Sequence, residues 1–244
     1  MFAGRYSAPM DAVLKVITLL PWTDWVAVAL FFSGWVGYAW FAHHRAQSRP
    51  SILATTNRIR RDWMLQTTYR EVRVIDGIVI QNLSTSPSFF ASTTILIIGG
   101  LLAVLGTTEK ASELVREIPF AARTTVLVFD LKLVLMLVIF VYAFFRFTWA
   151  MRQYTVGALL VASAPEAKHF DDGGALRQAF ADKAGRVVGM AAETFNDGLR
   201  AYYLAFAAIG WFFSPLLFVV ATVGVIYILY QREFQSDMLD VLNS

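Results

Sequence analysis

Four stretches of this chain are long and apolar enough to cross a lipid bilayer as helices. A helix rises about 1.5 Å per residue, so about 20 apolar residues span a hydrocarbon core about 30 Å thick. The stretches cover residues 22–42, 88–106, 125–149 and 204–230, and Trp or Tyr residues lie near the ends of three of them. The sequence therefore predicts an all-α protein with four transmembrane helices.

The composition agrees with a membrane environment. Hydrophobic residues make up 57% of the chain and charged residues 16%, whereas soluble domains have about 45–50% and about 25%. The basic residues lie between the apolar stretches and form no long basic face, so we expect membrane lipids as partners and no nucleic acid. The absence of cysteine excludes disulfides and thiolate chemistry.

The distribution of Lys and Arg predicts the orientation in the membrane. The segments that follow the first and third stretches carry fourteen of these residues, counting Arg146, and the segments on the other side carry six. Basic residues concentrate in cytoplasmic loops. We therefore expect both long loops in the cytoplasm and residues 1–21 and 231–244 outside it.

The two long loops have the patterns of amphipathic helices. Between Leu176 and Tyr202, apolar residues recur every three to four positions, and Asp172 is a candidate cap before this helix. A shorter amphipathic helix is predicted around Arg58 to Met64. Such helices either lie on the membrane surface or pack together beneath the spans.

Several longer phrases resemble a known family. They are NRIRRDWM (57–64), SPSFFASTTILIIGGLLAVLG (86–106), GLRAYYLAFAAIGWFFSPLLF (198–218) and YQREF (230–234). This part of the chain is similar to the bacterial and plant membrane family known as domain of unknown function 599. The resemblance implies an integral membrane protein, in bacteria one of the inner membrane. It implies no activity and no catalytic residues.

Asp130 and Lys132 are the ionisable residues that lie well inside an apolar stretch. A charge at the bilayer centre costs about 2.5–3.5 kcal/mol, so such residues are paired, line water or lie near an end. One interpretation is an ion path that also includes Ser88, Ser92 and Thr93. In the other, Asp130 lies at the outer interface, Lys132 extends toward it, and the hydroxyls contact neighbouring helices.

Pairs of small residues predict close contacts between helices. Residues four apart lie on the same face of a helix, and small ones let two backbones approach. The pairs are Ser33 with Gly37, Gly99 with Ala103, and Gly210 with Ser214. Because three stretches carry such a pair, we expect a homo-oligomer or a subunit of a larger complex.

A basic cluster near the first stretch is a candidate site for lipid headgroups. Anionic headgroups attract basic side chains, and tryptophan prefers the interface. The candidate residues are Arg58, Arg60, Arg61 and Trp63.

The histidines do not have the pattern of a cofactor or metal site. Adjacent residues of a helix face different directions, so His43 and His44 cannot share a metal easily, and His169 lies in a loop. The chain also has no phosphate-binding glycine loop, nucleophile elbow or metalloprotease motif. We therefore expect no cofactor, no metal and no enzymatic activity.

These patterns favour two functions. The first is a homo-oligomeric pore for ions or small solutes, indicated by the small-residue pairs, the hydroxyls and the two charges. The alternative is a structural or accessory subunit that packs against another membrane complex through the same small residues.

Overall fold

The computed structural model describes residues 20–45, 51–117, 125–170 and 174–243, and its regular elements there are helices. They are α1 (Trp22–Arg45), α2 (Ile52–Thr67), α3 (Val74–Leu105), α4 (Thr108–Glu117), α5 (Val126–Ala162), α6 (Ala175–Ile209), α7 (Pro215–Phe234) and α8 (Asp237–Asn243), with 3-10 turns at Ala167–His169 and Gly210–Phe212. Among them, α1, α3, α5 and the segment Pro215–Leu242 are long and apolar enough to cross a membrane. The predicted fold class is confirmed. The predicted N-terminal segment 1–21, apart from its last two residues, and the candidate cap Asp172 lie outside the described residues.

Three helices are much longer than a bilayer requires. Helices α3, α5 and α6 have 32, 37 and 35 residues, which correspond to about 48, 56 and 52 Å. Each is therefore roughly 20 Å longer than a hydrocarbon core about 30 Å thick. The predicted boundaries at Ser88 and Trp149 are not helix ends, because α3 already begins at Val74 and α5 continues to Ala162.

Helix α5, which carries both candidate charges, begins where the sequence predicts. Thr125 has an extended backbone, and its hydroxyl accepts a hydrogen bond of 3.4 Å from the Val128 amide. This bond satisfies one of the free amides of the first turn. The predicted start of the third span is therefore a capped helix terminus.

The chain reverses direction after α6. Arg232 on α7 donates a hydrogen bond of 2.6 Å to the Tyr203 hydroxyl on α6, although the two residues are 29 positions apart. One continuous helix would separate them by about 43 Å. The predicted fourth span over residues 204–230 is therefore wrong as a single kinked helix, because this region forms a helical hairpin.

The turn of the hairpin is built by Gly210, Ser214 and Pro215. Pro215 occupies the first turn of α7, where its missing amide removes no helical bond. The Ser214 hydroxyl accepts a hydrogen bond of 3.0 Å from the Leu217 amide and caps the new helix. A Cβ atom on Gly210 would lie 3.2 Å from the Leu217 carbonyl. The pair Gly210 and Ser214 thus forms a turn and not a contact face between helices.

Two hydrophobic cores follow each other along the long helices. The first lies at the level of the apolar stretches and includes Phe31, Ile139 and Phe147. The second is formed by α2, the start of α3, the end of α5 and the start of α6. Its buried members are Met64, Ile80, Tyr154, Val161, Ala181, Ala184, Val188 and Ala191. Of the two arrangements left open by the sequence, the amphipathic helices have the one in which they pack together.

Two glycines bring α2 close to α6 in the second core. A Cβ atom on Gly185 would lie 2.9 Å from the Arg61 Cα, and one on Gly189 would lie 2.9 Å from the Asn57 Oδ1. A larger side chain at either position would separate the helices. Glycine therefore permits this contact through its small size.

The C-terminal helices return to the end of the bundle where α2 begins. The Leu53 amide donates a hydrogen bond of 3.1 Å to Glu233 Oε1 at the end of α7. Residues 231–243 therefore lie at the same end as the start of α2, whereas the sequence placed them on the opposite side. The prediction fails because the C-terminal half of α6 runs through the first core before α7 begins.

Candidate functional site

Lys132 is buried inside the first core. Its side chain is 1% exposed, and its ammonium donates a hydrogen bond of 2.7 Å to the Trp211 carbonyl in the hairpin turn. The Nζ atom also lies 5.5 Å from the centre of the Trp211 ring and 5.9 Å from that of Phe212. Lys132 does not extend toward the interface, as one interpretation of the sequence assumed.

The turn between α6 and α7 explains why a lysine is buried at this position. The last carbonyls of a helix lack amide partners and carry partial negative charge. Irregular backbone at membrane depth is tolerated only where protein or water satisfies it. The Lys132 ammonium supplies a donor for the Trp211 carbonyl just beyond the end of α6.

Asp24 joins the same group from α1. Its carboxylate accepts a hydrogen bond of 2.5 Å from the Trp211 indole and is 6% exposed. Lys132 and Asp24 therefore contact one tryptophan from two helices. The arrangement brings a buried cation and a buried anion together around the turn, which lowers the free-energy cost of burying each charge.

Asp130 is not part of this group. It is partly exposed, and its Oδ1 is buried without a hydrogen-bond partner among the described residues. Two positions along a helix correspond to roughly 200°, so Asp130 and Lys132 face different directions. Of the two candidate charges, Asp130 is the one whose bonding within the described chain is incomplete.

The hydroxyls of α3 are far from Lys132. Phe90, in the same helical turn as Ser88 and Ser92, contacts Phe147 at 5.3 Å between ring centres. Phe147 lies fifteen residues after Lys132, or about 22 Å along α5. The structure therefore does not bring these serines and the lysine into one path through the described chain.

Two threonine hydroxyls in this part of α3 bond within the protein. The Thr93 hydroxyl donates to the carbonyl of Phe89 at 2.9 Å. Thr94, which the sequence-based site did not include, bonds the Tyr202 hydroxyl at 2.6 Å and connects α3 to α6. Ser92 is exposed and Ser88 partly exposed. These contacts favour helix packing as the role of the group.

A second charged layer lies near the other end of the spans. Arg146 on α5 forms an ion pair with Asp197 on α6, and Arg200 donates to the same carboxylate at 3.2 Å. The Arg200 guanidinium lies 5.6 Å from the centre of the Tyr38 ring on α1. In the sequence both arginines indicate orientation only, and Asp197 gives no signal of the network because it lies two positions from Phe195 and from Leu199, off the apolar stripe of α6.

The predicted lipid cluster is divided by the structure. Arg58 and Arg61 are exposed. Arg60 donates a hydrogen bond of 2.8 Å to Asn57, and Trp63 donates one of 2.7 Å to Asp76. Arg58 and Arg61 thus present charge to the surroundings, whereas Arg60 and Trp63 bond within the bundle.

Arg60 belongs to a polar group within the second core. Asn57 donates a hydrogen bond of 2.8 Å to Glu193 on α6 while it accepts one from Arg60. Burial lowers the pKa of Arg60 from its usual value, and the neighbouring Tyr154 and Glu193 oppose this shift. The group fixes the position of α2 against α6.

Other arginines stabilise the loops of the second core through hydrogen bonds to backbone carbonyls. Arg73 donates to the carbonyls of Thr67 and Ala164 at 3.1 and 2.7 Å. Arg177 donates to the Thr68 carbonyl at 2.6 Å, and its guanidinium lies 4.4 Å from the Tyr69 ring centre. Residues that indicate orientation in the sequence therefore also bind backbone carbonyls.

The remaining small-residue pairs face outward. Gly37, Gly99 and Gly100 have open space where a Cβ atom would lie. Gly99 and Ala103 are exposed on α3. These faces are unused within the described chain, and close contacts inside it involve other glycines, such as Gly198 against the Phe147 ring.

The described residues contain no group of three or more potential metal ligands. The His44 ring stacks on Trp40 with 5.1 Å between ring centres. The side chain of His43 lies outside the described residues, and His169 lies in a 3-10 turn.

Comparisons with known proteins identify a family and no characterised relative. No curated protein and no solved structure matches the chain. The model of a family described as protein of unknown function, DUF599, matches residues 26–238. This match covers α3 and α5 completely and most of the other two apolar segments, and it confirms the resemblance found in the sequence. The chain therefore belongs to the DUF599 family of proteins of unknown function.

Proposed function

We propose that this protein is a structural or accessory subunit of a larger membrane assembly in a bacterial inner membrane. The observation that carries the proposal is that α3, α5 and α6 continue without a break from the first core into the second. A continuous helix transmits position and orientation along its length. Three of them, packed in both cores, suit a protein that holds a partner at a fixed distance from the bilayer.

The basic residues support a cytoplasmic position for the second core. Arg58, Arg61 and Arg186 are exposed there, and basic residues concentrate on the cytoplasmic side. The hairpin then brings the C-terminal segment to the cytoplasm as well. The start of α1, at the other end of the bundle, would be extracytoplasmic.

The outward face of α3 is the surface we assign to a partner helix. Gly99 and Ala103 are exposed, and a Cβ atom on Gly99 would meet no other atom within 4 Å. Small residues at this spacing let a second transmembrane helix approach closely, which increases van der Waals contact. Lipid chains would fill this face less completely than a helix.

A mass measurement on the complex extracted in mild detergent tests the proposal. We expect the chain to copurify with other subunits, and Gly99→Leu should reduce their amount. Gly224→Leu is the matched control, because Gly224 also has open space around it but lies on α7. Equal loss with both variants, or a monomer in detergent and in crosslinked membranes, would contradict the accessory role.

A homo-oligomeric pore is the second candidate, and Asp130 favours it. A carboxylate oxygen that is buried without a partner among the described residues suits a site completed by an ion or by a second copy. A ring formed by this chain alone would support the pore. Ion flux in reconstituted liposomes that changes with Asp130→Asn would support it further, and absent or unchanged flux would exclude this role of Asp130.

A further inference from the structure

A cavity of about 320 Å³ with charged residues in its wall lies where α7 returns toward α2. Its walls come from α1, α2, α6, α7 and the segment that follows α7. Two arginines, Arg200 and Arg232, line it, together with the single carboxylate of Glu233. Arg200 already pairs with Asp197 at 3.2 Å, so Arg232 is the lining arginine without an ion pair among the described residues.

The polar side chains around this cavity differ in how far their hydrogen-bonding capacity is used within the protein. Glu233 accepts a hydrogen bond of 3.1 Å from the Leu53 amide. Arg232 directs one of its five N–H donors to the Tyr203 hydroxyl. The Ser236 hydroxyl is buried without a hydrogen-bond partner among the described residues. The carboxylate is thus engaged with the backbone, whereas the exposed Arg232 can offer further donors to a ligand.

The position of the cavity, near the end of α1, suits the headgroup of a lipid. Tyr38, which lines it, lies near the end of α1 where Trp40 is exposed. Tyrosine and tryptophan collect at the boundary between hydrocarbon and water. Leu199 and Leu229 form apolar parts of the wall, so the cavity is suited to the polar end of an amphiphile.

An apolar groove adjoins Tyr38 between α1 and α7. It has a volume of about 550 Å³ and includes Gly34, Gly37, Val223 and Ile226. A Cβ atom on Gly37 would meet nothing within 4 Å, which leaves the groove open along α1. The cavity with the arginines and the apolar groove therefore share Tyr38 as a lining residue.

We infer that the cavity binds the phosphate group of an anionic phospholipid, with an acyl chain in the groove between α1 and α7. Guanidinium groups bind phosphate oxygens through paired hydrogen bonds, and the Ser236 hydroxyl offers one more. The groove favours a lipid over free phosphate because only a lipid occupies both parts. The site differs from the exposed Arg58 and Arg61 on α2.

Native mass spectrometry of the purified protein, titrated with phosphatidylglycerol, tests the inference. Arg232→Gln should weaken the tightest binding about fivefold, the factor that corresponds to about 1 kcal/mol for one basic residue near a charged surface. Arg232→Lys retains the charge and should recover part of the affinity. Arg152→Gln is the control, because Arg152 is also exposed but lies on α5 away from the cavity.

The controls separate the outcomes. Phosphatidylcholine should bind more weakly than phosphatidylglycerol, and Gly37→Leu should weaken phosphatidylglycerol because it obstructs the groove. Equal loss with Arg152→Gln and Arg232→Gln would overturn the assignment. Displacement of the lipid by millimolar inorganic phosphate would overturn it as well and would indicate a site for a free anion.

Discussion

Replacement of Lys132 by methionine tests whether the buried lysine stabilises the hairpin turn. Methionine has nearly the same length, so the substitution removes the charge without opening a large cavity. It leaves the Trp211 carbonyl without the donor that lies 2.7 Å from it. An unsatisfied buried acceptor costs about 1–3 kcal/mol, and the lost attraction to two aromatic rings adds about 0.5–2 kcal/mol.

Part of this loss is offset, because a buried ammonium is costly to desolvate. We therefore expect Lys132→Met to lower the free energy of unfolding by about 2 kcal/mol, which is roughly a thirtyfold change in the unfolding equilibrium. Reversible unfolding in mixed micelles measures this difference. Trp211 fluorescence would also change, because the charge beside the indole is lost.

Lys168→Met is the matched control. Lys168 pairs with Glu166 at 2.8 Å, but the two side chains are 73% and 68% exposed, and such pairs contribute about 0–1 kcal/mol. A Lys132→Met protein as stable as wild type would refute the structural role of the lysine. Loss of ion flux without loss of stability would instead point to a conducting role.

Three other substitutions or labels test separate parts of the structure. Gly198→Ala should destabilise by about 1–3 kcal/mol, because its Cβ would lie 2.5 Å from the buried Phe147 ring; Gly224→Ala, with open space around it inside α7, should instead stabilise by up to about 1 kcal/mol. Asp76→Asn should destabilise by about 1–3 kcal/mol and increase hydrogen exchange in α2, since Asp76 accepts bonds from Trp63, Thr67 and Arg70. Accessibility tags inserted just before Trp22 and just after Asn243 should report opposite sides of the membrane, with a tag at Gly174 on the side of Asn243; the first two tags on one side would contradict the hairpin.

The sequence predicts the apolar helices because lipid requires about 20 apolar residues in one run. It predicts the hairpin poorly because much of the C-terminal half of α6 is buried, although Phe206 and Ile209 are exposed. Ala201, Leu204, Ala205 and Ala208 are buried against neighbouring helices, and Asp197 is bonded to arginines. A helix shielded in this way tolerates charges and small residues, so its hydropathy does not distinguish it from a helix outside the membrane.

The bonding partners of Asp130 and Lys132 are also difficult to predict from the sequence. The positions of these two residues in the sequence reveal that they lie within an apolar stretch, but the partner of Lys132 is a backbone carbonyl 79 residues away. No residue type identifies such a carbonyl in advance. One signal was available, because a fourth span of 27 residues with Gly210, Ser214 and Pro215 inside it is longer than a bilayer needs and contains residues that end helices.

The hairpin also increases the difference in basic residues between the two sides of the membrane. It moves Arg232 from the side with fewer basic residues to the side with more, which changes fourteen against six into fifteen against five. Arginines such as Arg73 and Arg177 bind carbonyls of the second core, so their positions have a structural cause besides the membrane rule. This structural cause does not apply to four exposed arginines, namely Arg58, Arg61, Arg152 and Arg186. They lie in the part of the chain that forms the second core or borders it, so these four contributions to the bias do not come from arginines that bond within the protein.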